Sequence, residues 1–122
     1  MLTYSAVLAT LFALDAVWIG VLAKSFYAST IGHLYRDPII WWAAILFYVL
    51  YAAGIMFFVI LPAESTLTAF LFGALFGFMA YMTYDLVNYS TLAGWPLSVV
   101  IVDVLWGMTI TAIASVVGML IG

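Results

Sequence analysis

Cysteine is absent from the 122 residues, histidine occurs once, and Lys24 and Arg36 are the only fixed cations. Each scarcity removes a class of function. Without thiols there is no disulfide, no thiolate metal site and no cysteine nucleophile. Two cations against five acidic residues leave a net charge of -3, so the electropositive footprint that nucleic acid or anionic headgroups require is missing. A lone His33 cannot build the histidine-rich di-iron site of membrane desaturases, and no Ser-His-Asp spacing accompanies it. A site made of carboxylates alone would suit only a hard ion such as Mg²⁺ or Ca²⁺. The expectation is therefore no catalytic residue, no cofactor, no metal and no nucleic acid, with no positive sign of an enzyme.

Charge of either sign is scarce as well: 6% of residues are charged and 70% are hydrophobic. Soluble domains carry roughly 25% charged and 45–50% apolar residues, so this balance belongs to a chain whose solvent is lipid. Apolar runs at about 2–23, 39–61, 66–89 and 97–121 are each long enough to cross a hydrocarbon core of about 30 Å as a helix. They lack the alternation of barrel strands and are about twice too long for them. The reading is an all-α polytopic membrane protein, a four-transmembrane-helix bundle in one domain over residues 1–122, with the lipid bilayer as its first partner. A secretory signal competes for the first run, but no Lys or Arg precedes it and Asp15 interrupts it, which favours a retained span.

The connections carry their own signals. Lys24–Asp37 (KSFYASTIGHLYRD) is the most polar stretch; Phe26, Tyr27 and Tyr35 suit a partly helical segment lying along the interface. Asp37-Pro38 predicts a helix start, with the carboxylate capping and proline at the first helical position. Trp41 and Trp42 follow at the headgroup boundary. Pro62-Ala63-Glu64-Ser65 predicts a tight capped turn, and Ser90–Pro96 another short connection closing on proline. Both cations sit in the first loop, so the positive-inside bias puts the first and third loops in the cytoplasm and both termini outside.

Helices in lipid associate through close backbone approach and polar contacts, because acyl chains are as apolar as leucine. Small residues should line the seams. Gly73 and Gly77 form a GxxxG; Gly107, Thr111, Ser115 and Gly118 form a stripe in the fourth span; Ala9, Ala13, Ala16 and Gly20 form one in the first. These serve packing within the chain or, alternatively, a homodimer face.

Asp15, Asp85 and Asp103 lie inside spans, where each costs roughly 2.5–3.5 kcal/mol near a helix centre. Topology puts all three about 6–12 Å below the first-loop surface at 1.5 Å rise per residue. Aromatic donors sit at helical spacing: Asp15 with Trp18 and Asp103 with Trp106 as i,i+3 pairs, Tyr81 and Asn88 flanking Asp85, and Tyr48 and Tyr51 from the second span. Only Lys24, Arg36 and a protonated His33 could neutralise them, and Arg36 already neighbours Asp37. At least one aspartate should then be protonated, share a proton or bind a cation. The bland alternative is that the cluster is structural glue that fixes helix register. LDAVWIG and VDVLWGM, antiparallel through the membrane, hint at pseudo-symmetry between the first and fourth spans.

The strings LDAVWIG, FYVLYAAGIMFFVILPA, GALFGFMAYMTYDLVNYSTLAGWP and VDVLWGM resemble those of the bacterial membrane proteins grouped as domain of unknown function 2177. The resemblance covers nearly the whole chain, and YDLVNYSTLAGWP is its most specific piece. Where the family pattern reads YDLTN this chain has Val87, which removes a hydroxyl at that point. The resemblance implies a four-helix protein of a bacterial inner membrane and supplies neither substrate nor catalytic residue. Three function classes follow: binding of a small cation, a proton or an amphipathic ligand at the aspartate and aromatic cluster; an accessory or scaffold subunit packed against a larger membrane-protein complex; or a lipid-modifying enzyme.

Overall fold

A backbone surrounded by hydrocarbon must satisfy its own N–H and C=O groups, which confines it to helices or closed barrels. The computed structural model, which describes residues 1–122, takes the first course: its elements are helices and short turns, and 82 of its 95 backbone hydrogen bonds lie within them. Four helices are long and apolar enough to span, α1 (Leu2–Leu22), α3 (Trp41–Ile60), α4 (Thr66–Thr91) and α5 (Leu97–Ile121). Between α1 and α3 lies the short α2 (Lys24–Ile31), followed by a 3₁₀ turn at Gly32–Leu34. The last turns of α1 and α3 widen to π geometry, with Ala23 N–H donating to the Trp18 carbonyl at 2.7 Å and Leu61 N–H to Met56 at 2.9 Å.

The helix starts differ in how they are capped. Ser65 opens α4 by accepting from the Thr68 N–H at 3.1 Å, as the Glu64-Ser65 turn predicts. Asp37-Pro38 does not open α3. Those residues form a bend, the helix begins three residues after Pro38 at Trp41, and Ile40 is its N-cap without a side-chain bond. The reason is reach: this segment returns the chain from α2 to α3 across the mouth of a cavity that Tyr35, Arg36 and Ile39 line, and a compact helical turn covers less distance per residue than extended chain. Trp41 and Trp42 are exposed at the new start, where indoles suit the headgroup boundary.

The fourth crossing helix is the hub. In α5, 44% of the most apolar window is buried, against 17–22% in the other three. It packs on α4 along small residues. A Cβ on Gly77 would fall on the Gly107 carbonyl oxygen and 2.7 Å from Thr111 Oγ1; one on Gly73 would lie 3.0 Å from the Ala112 Cα; one on Gly107 would overlap the Tyr81 ring. On its other flank α5 meets α1 through Gly118, where a Cβ would come 2.6 Å from Val7 Cγ2. The α1 seam departs from the small-residue expectation. Its buried residues are Val7, Leu11 and Asp15, whereas Ala9, Ala13, Ala16 and Gly20 are exposed. Close approach needs a small residue on one side of a contact only, and Gly118 on α5 supplies it.

Helix α4 meets α3 at the Met56–Ile60 end of α3. Toward the first-loop side, rings bridge the two: Tyr51 lies 5.6 Å from Phe76 and 6.2 Å from Tyr81, centroid to centroid. The space this leaves becomes the cavity described below.

Because Gly77 touches backbone, which cannot rotate away, Gly77→Ala should destabilise the bundle by about 1–3 kcal/mol. A Cβ at Gly20 would meet nothing within 4 Å, so Gly20→Ala should be neutral or slightly stabilising through helix propensity. Unfolding of both variants in mild detergent checks this, and equal midpoints for the two would refute the seam.

Candidate functional site

The three aspartates of the spans gather at one level. At 1.5 Å rise per residue, Asp15 lies about 10 Å inside the Leu22 end of α1, Asp85 about 9 Å inside the Thr91 end of α4, and Asp103 about 9 Å inside the Leu97 start of α5. All three ends belong to the side of the first and third loops. Those loops touch: the His33 imidazole lies against Gly94, where a Cβ would come 2.6 Å from Nε2.

Asp15 is buried, and both of its oxygens are used. Tyr48 donates to Oδ2, and the Trp106 indole N–H donates to Oδ1 at 2.8 Å. Asp103 accepts on Oδ1 from the Tyr27 hydroxyl at 2.9 Å, and Tyr27 in turn accepts from the Trp18 indole at 3.2 Å. Burial above all, and then the adjoining Asp103 carboxylate, push the Tyr27 phenol above its ordinary range, so it stays a donor. The Trp18 and Trp106 rings stack with centroids 4.6 Å apart and planes 7° from parallel.

This wiring corrects the i,i+3 pairing. Neither tryptophan serves the aspartate on its own helix: Trp106 serves Asp15, and Trp18 serves Asp103 through Tyr27. The helices are antiparallel, so Trp106 lies within about 3 Å of the Asp15 level and Trp18 within about 3 Å of the Asp103 level, against about 4.5 Å for a residue three positions along the same helix. With the indoles stacked in the α1–α5 seam, the Trp106 N–H reaches α1 directly, and the Trp18 N–H reaches the Tyr27 hydroxyl of α2, which carries on to α5.

Asp85 has no such provision. It is 0% exposed, and neither carboxylate oxygen accepts a hydrogen bond. Tyr81 and Asn88, expected to flank it, make no bond to it. The Asp103 carboxyl and the Trp95 indole sit beside it, the former close enough for a proton on either carboxyl to bridge the two, while the buried Trp95 Nε1 donates to no acceptor. Tyr51 also departs from expectation: its hydroxyl pairs with Thr111 Oγ1 at 2.6 Å rather than with an aspartate.

Around Asp15 and Asp103 is a cavity of about 820 Å³, with 17 hydrophobic residues among the 22 that line it. Trp18, Tyr48, Tyr51, Tyr81 and Trp106 line it with the two aspartates; Asp85 and Asn88 do not. Lys24 and Arg36 line it as well, from the loop side. Asp103 lines this space and has no donor on Oδ2, since its one protein donor, Tyr27, is on Oδ1. Two participants escaped sequence reasoning. Tyr27 sits among polar loop residues and read as interfacial, yet it is 7% exposed. Trp95 lies in a connection, and nothing in the sequence ties it to Asp85.

The Tyr48–Asp15 bond supplies a measurable coupling. In a double-mutant cycle of Tyr48→Phe and Asp15→Asn, unfolding free energies should show an interaction of about 0.5–2 kcal/mol. Strict additivity would mean that the bond contributes nothing to stability.

The chain matches the family described as "Predicted membrane protein (DUF2177)" over residues 1–120. No curated protein and no solved structure matches it. A family match along nearly the whole length, together with four spanning helices, assigns the chain: it is an integral membrane protein and belongs to the DUF2177 family.

Proposed function

We propose that the protein binds a small amphipathic cation, with the charged end against Asp103 and the apolar part among the rings of the cavity. The observation that carries this reading is the pairing of a drug-sized, mostly apolar cavity with a cavity-lining carboxyl, Asp103, that has a protein donor on only one of its two oxygens. Cavities of roughly 300–1,000 Å³ with few polar groups are the usual form of small-molecule sites. The contents favour a cation over a neutral ligand. Indole and phenol rings present negative faces, worth about 2 kcal/mol or more to a desolvated cation, and Asp103 supplies a full countercharge.

The same lining residues suggest a route into the site. Ala44 and Phe47 of α3 and Ala80 and Tyr84 of α4 line the cavity together, and in this reading an amphiphile dissolved in the bilayer enters between those helices. Lys24 and Arg36 at the loop end lie where the positive-inside bias puts the cytoplasm; we accordingly place the cavity mouth on the cytoplasmic face of a bacterial inner membrane. An accessory or scaffold role would use the exposed rings Phe57, Phe58 and Phe72. Acyl chains cover such rings equally well, and no feature singles out a protein partner there.

Tetraphenylphosphonium, a lipophilic cation, is a suitable probe because Trp18, Trp95 and Trp106 report from the cavity wall. Titrated into the protein in lipid nanodiscs, it should quench tryptophan fluorescence saturably. Asp103→Asn should weaken binding by about tenfold or more, the equivalent of 1.4 kcal/mol or more. The lipid-facing Leu67→Ala, on the opposite side of the membrane, is the control. Equal affinity in Asp103→Asn and wild type would defeat the proposal. A stoichiometric protein partner in a native pull-down, without cation binding, would favour the scaffold role.

A further inference from the structure

Asp85 is the one titratable side chain in the spans that is wholly enclosed and wholly unpartnered. An ionised carboxylate in that position would forfeit several kcal/mol of solvation with nothing returned, whereas a protonated one has a donor to offer. The groups around it sharpen the point. From α5 it faces Asp103, whose Oδ2 is free; from α2, Tyr27; from α4 itself, Tyr84; from the third loop, the Trp95 indole. Asp15 of α1 lies within electrostatic reach of Asp103, and Tyr48 of α3 is engaged by Asp15. His33 lies over Gly94, next to Trp95. Lys24 and Arg36 line the cavity at its loop end and donate to none of these carboxylates. The carboxyls of α4 and α5 thus stand side by side without a countercharge from the protein, one enclosed and one open to the cavity.

We infer that Asp85 and Asp103 hold one proton between them and that a cation docking at Asp103 displaces it. The inference rests on the cation-binding reading of the cavity and assigns that site its regulation. Two adjacent carboxyls in a medium of low polarity cannot both ionise, and a shared proton is the arrangement such pairs adopt. When a lipophilic cation brings its own charge to the free oxygen of Asp103, the second negative charge becomes tolerable. The carboxyl O–H bond then breaks, its electron pair stays on oxygen, and the proton leaves through the cavity toward the loop-side water. One positive charge enters and one departs, so the site's net charge is unchanged, and cation and proton compete. Asp15, saturated by Tyr48 and Trp106, takes no part in the exchange.

Competition fixes the sign of the pH effect. Protons oppose the cation, so the affinity of the wild-type protein for tetraphenylphosphonium should rise with pH, by up to about tenfold per pH unit for one proton displaced. Asparagine has the shape of the protonated acid, and Asp85→Asn should make the affinity independent of pH between about pH 6 and 9. Infrared difference spectra give a second measurement that needs no variant to fold. The carbonyl stretch of a protonated carboxyl should be present at neutral pH without ligand and should vanish at saturating tetraphenylphosphonium. A pH-independent wild type, an Asp85→Asn variant as steep as wild type, or a band unmoved by the cation would each overturn the exchange. Should tetraphenylphosphonium bind at no pH, the cation-binding reading falls and the exchange with it. The band in the ligand-free protein then separately decides whether the pair shares a proton.

Discussion

A carboxyl group inside a bilayer receives its partners from the protein or goes without, and the α1–α5 pair is organised around that demand. Lipid offers no donors, so the cost of about 2.5–3.5 kcal/mol per central aspartate stays unless side chains offset it. Asp15 meets the demand in full, with one donor from α3 and one from α5. A single carboxylate therefore ties three of the four spans together at one level. The stacked indoles of Trp18 and Trp106 lie in the same seam, which makes the α1–α5 contact both the main electrostatic provision and an aromatic wall of the cavity. The reciprocal service of Asp15 by Trp106 and of Asp103 by Trp18 through Tyr27 gives the pair a local two-fold character, in keeping with the matching strings LDAVWIG and VDVLWGM.

Placing α5 against both α1 and α4 requires that it present small surfaces in two directions. Gly107 and Thr111 face α4, and Gly118 faces α1. Helix α3 is held by α1, by the Tyr51–Thr111 hydroxyl pair and by its Met56–Ile60 end, which meets both α4 and α5. The cavity is a consequence: α3 and α4 join through the short turn at residues 61–65 and are bridged higher up by aromatic rings. Tight packing of α5 against α4 and α1, set by its glycines, thus coexists with open space between α3 and α4.

The four spans were legible because each is a long apolar run, and the glycines of α4 and α5 because small residues at helical spacing mark a face on which helices in lipid can approach closely. What the sequence could not give was the choice of neighbour. The i,i+3 rule identifies residues that share a helix face, but an indole has several hydrogen-bond partners within reach: Trp106 donates across the seam to Asp15, and Trp18 donates to Tyr27 of α2. The alanines of α1 satisfied the small-residue rule yet face outward, since that rule says which residues permit close approach and not which face is used. Tyr27 was hidden by its context: a polar, loop-like stretch folds back as α2 and delivers one buried phenol to Asp103. Asp37-Pro38 carried a sound helix-start signal that the need to bridge the cavity mouth overrode.

The three aspartates looked alike in sequence, and their surroundings divide them. If the cluster were glue alone, each carboxylate would be satisfied in proportion to its burial, as Asp15 is. Instead the most enclosed of the three, Asp85, has no partner, and the one with access to the cavity, Asp103, has one oxygen engaged and one free. Glue with those properties would hold poorly, because an unpaired buried carboxyl loses more than a well-packed apolar residue would. Pairing an enclosed acid with an open one makes physical sense where a charge arrives and leaves, since each then supplies what the other lacks: Asp103 contact with the ligand, and Asp85 a place for the proton that the ligand replaces.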